Sequence, residues 1–334
     1  FDEQGRRLWT TQLADEADRS ILALAAAPAV KDFSEPALVA ILEAKDDRSS
    51  ADLILLDGQG KTTAKINQVE RRNLTQFVDS NHDQNNELLV PRFATLELLG
   101  MGVGNTGNVQ EWEYSLNAAP GAALVTDLDK DGNDELIIGS QDGRVHSLSN
   151  RRSINWLFDA GGAIQIIADL DHIDRKENSV VVAGYDEPEV GDRSGWIQLR
   201  EARGERDWVV ALESPVSALM IADVFFGGDP EIIAGTENGT FLILSSRGDL
   251  LWEMTIFADE EPISTLVHLS RESNLSGEIV PTSRDKLVAI DLIDRETPVR
   301  FLASLPREIN GLFPIEEPEN QDQAVRLVVS TIDG

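Results

Sequence analysis

Apolar residues in this chain fall in short runs of aliphatic and β-branched side chains, such as Leu136–Gly139, Val180–Ala183, Ile232–Gly235 and Phe241–Leu244. Gly, Asp, Asn or Pro bounds most of these runs, and no stretch sustains the 3.6-residue alternation of an amphipathic helix. Runs of this length, punctuated by turn formers, predict short strands joined by tight turns. The fold class expected is all-β.

Five of the six tryptophans stand at one place in a recurring pattern, just after a turn and near the start of a strand: Trp9, Trp112, Trp156, Trp208 and Trp252. The steps from Trp112 to Trp156, Trp208 and Trp252 are 44, 52 and 44 residues. The step from Trp9 to Trp112 is 103, about two periods, and the step from Trp252 through the termini to Trp9 is also about two. Ile66 and Phe301 fill the place in the two repeats that lack the indole. First strands then open near Ser20, Leu74, Ala122, Ala163, Val216, Ile263 and Ile309. A period in the forties, built of four short strands, is the mark of a β-propeller, in which each blade buries its faces against its neighbours. The expectation is a single domain over residues 1–334: a seven-bladed β-propeller of four-stranded blades. Its last blade is completed by Phe1–Leu13, because the chain stops at the turn Ser330–Gly334 that precedes a third strand elsewhere. A β-sandwich with accidental tryptophan spacing is the competing arrangement.

Composition narrows the function. The chain carries 29 basic and 59 acidic side chains, a net charge of −30, and no cysteine. That charge repels nucleic acid and anionic membrane surfaces. Lack of cysteine removes disulfides, thiolate metal sites and cysteine nucleophiles. The longest uncharged stretches, Ser20–Val30 and Leu98–Gln110, are shorter than the roughly 20 apolar residues of a membrane span. The first residue is Phe1 rather than methionine, so the sequence leaves open a signal peptide, anchor or neighbouring domain upstream.

The most specific local motif is Asp127-Leu-Asp129-Lys-Asp131-Gly-Asn133-Asp-Glu135, followed directly by an apolar strand. Carboxylates at loop positions 1, 3, 5 and 9, glycine at 6 and a backbone carbonyl at 7 can surround a hard cation with oxygen. Calcium suits a flexible, carboxylate-rich loop better than magnesium, which demands rigid octahedral geometry. An EF-hand is ruled out, since position 12 is Ile138 within a strand. The loop resembles the calcium loop of FG-GAP or VCBS repeats, the family of the integrin α propeller, where it joins the first and second strands of a blade. The resemblance implies calcium held by Asp127, Asp129, Asp131, Asn133 and Glu135. A weaker copy, Asp79, Asn81, Asp83, Asn85 and Glu87, has Gln84 where glycine belongs and is expected to offer a second site. The copy starting at Asp169 is lengthened by Ile173–Asn178, and the copy Asp223–Glu231 has Phe225 and Gly227 at positions 3 and 5, so neither is expected to bind calcium. For every loop the competing reading is a turn that satisfies its own backbone through Asx hydrogen bonds.

The tryptophan-bearing turns also resemble PQQ-like propeller repeats with their docking tryptophans, which supports the fold and implies no quinone. Gly102-Val-Gly104-Asn-Thr-Gly107 matches a dinucleotide fingerprint by letter, but a strand around Trp112 follows where a helix is required. His82, His146, His172 and His268 fall in four repeats without metal-ligand spacing. No acid, base and oxyanion donor converge, although paired carboxylates for glycoside chemistry remain available among 59 acids. Two segments offer contact surface: Phe225-Phe226, and the insertion Tyr185–Ser194.

The function expected is therefore a non-enzymatic, calcium-binding propeller that binds protein, as an adhesion or receptor-type ectodomain at the cell surface or outside the cell. A lectin-like propeller binding glycan, or a polysaccharide hydrolase or lyase, is the alternative.

Overall fold

The computed structural model describes residues 19–26, 38–44, 51–56, 59–69, 76–78, 87–100, 109–172, 176–188, 191–225, 227–257, 261–269, 278–292, 298–315 and 326–331. Phe1–Leu13, expected to complete the last blade, lie outside them. All regular structure among the described residues is strand, and no helix there is long and apolar enough to cross a membrane.

The chain clusters into two compact units, Phe1–Gly121 and Ala122–Gly334. The first holds two antiparallel sheets. One is β1–β4 (Arg19–Ala26, Leu38–Ala44, Ala51–Leu56, Thr62–Val69), and the other is β5–β8 (Gln76–Val78, Glu87–Arg92, Thr95–Gly100, Val109–Ser115). The second holds β9–β12 (Pro120–Thr126, Glu135–Ser140, Arg144–Leu148, Ile154–Asp159), whose first strand starts just before the boundary, and β13–β16 (Ala163–Leu170, Ser179–Asp186, Ser194–Glu201, Arg206–Leu212). It continues with β17–β20 (Val216–Ala222, Glu231–Thr236, Thr240–Leu244, Leu250–Thr255) and β21–β24 (Thr265–Leu269, Glu278–Ser283, Lys286–Asp291, Val299–Ser304). The pair β25 and β26 (Ile309–Ile315, Arg326–Thr331) ends it. Among the described residues each strand pairs only with its sequence neighbours in its own sheet. A bulge recurs where the third strand meets the fourth, at Ser147/Leu148, Leu199/Arg200, Ile243/Leu244 and Leu287/Val288. Such bulges increase local twist; the first three fall just before Trp156, Trp208 and Trp252, and the fourth falls just after Phe301.

Burial explains the two kinds of strand. The second strands β10 and β18 are buried at every position, so their sequences ELIIGS and EIIAGT carry unbroken aliphatic runs. Outer strands β12, β16 and β20 alternate between exposed and half-buried residues. Core clusters lie between consecutive sheets of the second unit: Ile137 and Val145 meet Val180, Val182 and Trp196, and Ile233 and Phe241 meet Ile279 and Val288. Gly139 and Gly235 permit the close approach, since a Cβ would stand 2.3 Å from Ile164 Cγ2 and 2.4 Å from Ile263 Cγ2 respectively.

The repeated tryptophans join one sheet to the next. Trp156 Nε1 donates to the Ala202 carbonyl at 2.7 Å, and Trp208 Nε1 donates to the Ser246 carbonyl at 3.1 Å. Each indole lies against a glycine of the receiving turn, Gly204 (φ +82°) or Gly248 (φ +83°). Arg152 occupies the equivalent place, four residues before Trp156, and takes the same left-handed conformation at φ +63°. A non-glycine residue there costs about 1–2 kcal/mol, part of which glycine returns through unfolded-state entropy. Arg152→Gly is therefore expected to raise stability by about 0.5 kcal/mol, read as a higher urea midpoint at unchanged m; a lower midpoint would count against this account of the turn.

Candidate metal centre

The loop Asp127–Glu135 joins β9 to β10 and folds around its first side chain. Asp127 accepts the Asp131 amide on Oδ1 at 3.0 Å and the Gly132 amide on Oδ2 at 2.9 Å. Asp129 Oδ1 accepts the same Asp131 amide at 3.1 Å. Gly132 is needed because the chain turns there at φ +89°. At the far end Glu135, 6 % exposed, accepts the Leu128 amide on Oε2 at 3.1 Å. These turns bring carboxylate oxygens of Asp127, Asp129 and Glu135 within 4.8 Å of one another.

Bringing three carboxylates together has an electrostatic cost. Burial first, and then the charges of Asp129, Asp131 and Asp127, push the Glu135 carboxyl up to about 7 despite its hydrogen bond from Leu128. Asp129 is also raised, by burial and by Asp131. A divalent cation reverses this logic, since its charge favours the ionised form of every ligand. The donor set is all oxygen, as a hard cation requires.

The other two residues expected at the site point elsewhere. Asp131 Oδ1 accepts both the backbone amide and the side-chain Nδ2 of Asn133, each at 2.8 Å, and Asn133 Oδ1 accepts Asn150 Nδ2 at 2.7 Å. Asn133 thus ties the loop to the turn between β11 and β12.

Sequence spacing did not point to the bracing from the neighbouring sheet. Lys130 Nζ donates to Asp171 Oδ1 at 2.8 Å and to the His172 carbonyl at 3.1 Å. The Asn178 amide donates to the Leu128 carbonyl at 2.8 Å, and Thr126 Oγ1 donates to Asp169 Oδ2 at 2.9 Å. His172 is buried, shares a 3.0 Å hydrogen bond with Ser179 Oγ, and places Nδ1 4.0 Å from Asp229 Oδ1 in the following loop. Three consecutive loops of the second unit therefore form one linked row.

The loop Asp223–Glu231 repeats the turn with different contents. Asp223 accepts the Gly227 and Gly228 amides at 3.0 and 3.1 Å, and Glu231 Oε2 accepts the Val224 amide at 2.9 Å. Gly228, at φ +94°, matches Gly132. Position 3 is Phe225, 38 % exposed, and no cluster of three carboxylates forms among the described residues there. Phe226 lies outside the described residues, as do Asp79, Asn81, Asp83 and Asn85. Glu87 of that second loop opens β6 and is buried.

Elsewhere, Tyr185 at the start of the insertion is 9 % exposed, with the Arg193 guanidinium 4.9 Å above its ring and Arg193 paired to Glu237 at 2.7 Å. Gly102 and Gly107 lie outside the described residues, and the segment that follows them, Val109–Ser115, is strand β8. His146 and His268 stand on β11 and β21, in different sheets from each other and from the His172 loop; His82 lies outside the described residues.

No family model and no curated protein matches this chain. Solved structures do. The structure of BBS1N in complex with ARL6DN aligns at TM-score 0.61 and 13 % identity, over 94 % of this chain and 90 % of that one. Sqt1 of Saccharomyces cerevisiae aligns at TM-score 0.61 and 12 % identity, over 95 % and 94 %. BamB from Moraxella catarrhalis aligns at TM-score 0.54 and 16 % identity, over 89 % and 80 %. All three are β-propellers. With its succession of four-stranded antiparallel sheets, this chain has the β-propeller fold.

Proposed function

We propose that this chain is a non-enzymatic protein-binding propeller whose loop Asp127–Glu135 holds a calcium ion. The convergence of Asp127, Asp129 and Glu135 carries the calcium reading: three carboxylates within 4.8 Å, one of them buried, form a set that a hard dication stabilises. Asp131 through Oδ2 and Asn133 through its backbone carbonyl complete the set expected from the FG-GAP resemblance, since Oδ1 of each is already engaged in hydrogen bonds, and the loop of Asp79, Asn81, Asp83, Asn85 and Glu87 is proposed as a second site. The ion's role is structural. It neutralises the cluster and ties β9 to β10 within a loop already braced from the neighbouring sheet, so its binding free energy appears as fold stability. Protein binding is the function that a rigid row of loops on packed sheets supports best. A similar propeller, BBS1N, was crystallised in complex with ARL6DN, and that complex supports the same use here. Millimolar calcium outside cells suits sites of this kind, and the proposed location is extracellular or at the cell surface.

The test uses the purified chain as bait for surface and secreted proteins of its source, in millimolar calcium and in chelator. Any captured protein is then purified and titrated by biolayer interferometry. Saturable binding of a purified protein is the expected result. Saturable binding of glycan alone, with no protein binding, overturns the reading.

A further inference from the structure

The loop Asp223–Glu231 keeps the turn of the metal-binding loop and discards its centre. Asp223 and Glu231 supply the hydrogen bonds that hold the turn, and Gly228 supplies its left-handed residue, so the turn's geometry asks nothing of the side chain at position 3. Phe225 nevertheless stands there with 38 % of its surface open, and an exposed aromatic ring forgoes the burial that would stabilise it. Contacts hold the turn that carries it. The Phe225 amide reaches Glu231 Oε2 at 3.4 Å, and Asp229 sits 4.0 Å from the buried His172 ring, which the Lys130 contact to the His172 carbonyl links to the next loop. A ring presented on a braced turn loses little entropy on binding.

The charge around the ring names the partner. Residues 223–231 carry three carboxylates, Asp223, Asp229 and Glu231, and no basic side chain. The Asp229 side chain is 55 % exposed, whereas Asp171, one loop away, is already paired with Lys130 at 2.8 Å. With a net charge of −30 on the chain, long-range steering favours a cationic partner and opposes an anionic one.

We propose that Phe225, on the same acidic turn as Asp229, is the docking point for a basic segment of a partner protein. An apolar side chain of that segment seats on the Phe225 ring while adjoining Lys or Arg residues meet the carboxylates. The aromatic contact supplies most of the affinity, and the charges supply rate and selectivity. This rests on the protein-binding reading above and specifies its surface and partner chemistry. It does not depend on calcium, because loop Asp223–Glu231 holds its turn through its own hydrogen bonds.

The experiment selects a displayed library of random 12-residue peptides on the whole chain, in calcium and in chelator. The most enriched sequences are then synthesised and titrated by fluorescence polarisation against four proteins: wild type, Phe225→Ala, Asp229→Asn and, as a control, Phe93→Ala. Phe93 is 62 % exposed in the other compact unit. The expected peptides pair an aromatic or large aliphatic residue with Lys or Arg. Phe225→Ala weakens them at least tenfold, and Asp229→Asn weakens them about threefold with a shallower salt dependence. Phe93→Ala leaves them unchanged, and chelator has no effect. Equal melting temperatures of Phe225→Ala and wild type confirm that the loss is local. Saturable peptides that ignore Phe225→Ala, or that carry no basic bias, overturn this surface while leaving protein binding intact. If no peptide binds saturably, this proposal falls, and the fate of the wider reading is decided separately by the purified-protein titrations above.

Discussion

Replacing Trp156 with alanine is expected to lower the free energy of unfolding by about 3–4 kcal/mol, the range found when large aromatic side chains are truncated in packed settings. The indole does three things at once. It packs against the cluster of Ile137, Val145, Val180 and Trp196, stacks on Phe158 with ring centroids 5.5 Å apart, and donates to the Ala202 carbonyl at 2.7 Å. It also lies so close to Gly204 that a Cβ there would stand 2.9 Å from the ring, and Gly204 has no side chain to fill the space the indole leaves. Trp156→Phe separates these contributions. It keeps most of the ring contact and loses the hydrogen bond, at about 1–1.5 kcal/mol. Both values are read from urea midpoints. A loss below about 1 kcal/mol for the alanine variant would mean that the tryptophans merely decorate the outer strands instead of joining the sheets.

Millimolar calcium is expected to stabilise the wild-type chain by about 1–1.5 kcal/mol, the gain when free ligand exceeds its dissociation constant by about tenfold. Glu135→Gln sharpens the test. Glutamine can still accept the Leu128 amide, so the turn survives, but the charge of a side chain only 6 % exposed is gone. In chelator this variant is expected to match or exceed the wild type, because an uncompensated buried carboxylate is costly. In calcium it should fall behind, because the ligand set has lost its buried member. Thermal melts of both proteins in both buffers would show the order of stability reversing. Parallel shifts of the two proteins would contradict a role for Glu135 as ligand.

The repeated architecture was legible because one residue type does one job. Trp156 and Trp208 each meet a turn of the next sheet, so their spacing reports the blade period directly, and the buried second strands announce themselves as unbroken aliphatic runs. The acidic loop was legible for a related reason. Carboxylates at positions 1, 3 and 9 are brought together by a turn whose glycine is fixed by backbone conformation. What spacing cannot reveal is where a side chain finds its partner across sheets. Asn133 turns to Asn150, Lys130 reaches Asp171, and Asn178 binds the Leu128 carbonyl, contacts spanning 17 to about 50 residues of sequence. Loop Asp223–Glu231 shows the limit from the other side. Judged by ligands alone it is a degenerate copy, yet Asp223 and Glu231 preserve the whole turn, because positions 1 and 9 bond the backbone whether or not a cation is held.

Calcium binding in loop Asp127–Glu135 is measured most directly by an isothermal titration of calcium into the wild-type chain and into Asp129→Asn. Asparagine keeps an oxygen able to accept the Asp131 amide and removes only the charge. Saturable calcium binding to the wild type and the loss of one equivalent in the variant are the expected results. Identical isotherms for the two proteins, or no saturable heat from the wild type at millimolar calcium, would contradict a calcium site in this loop.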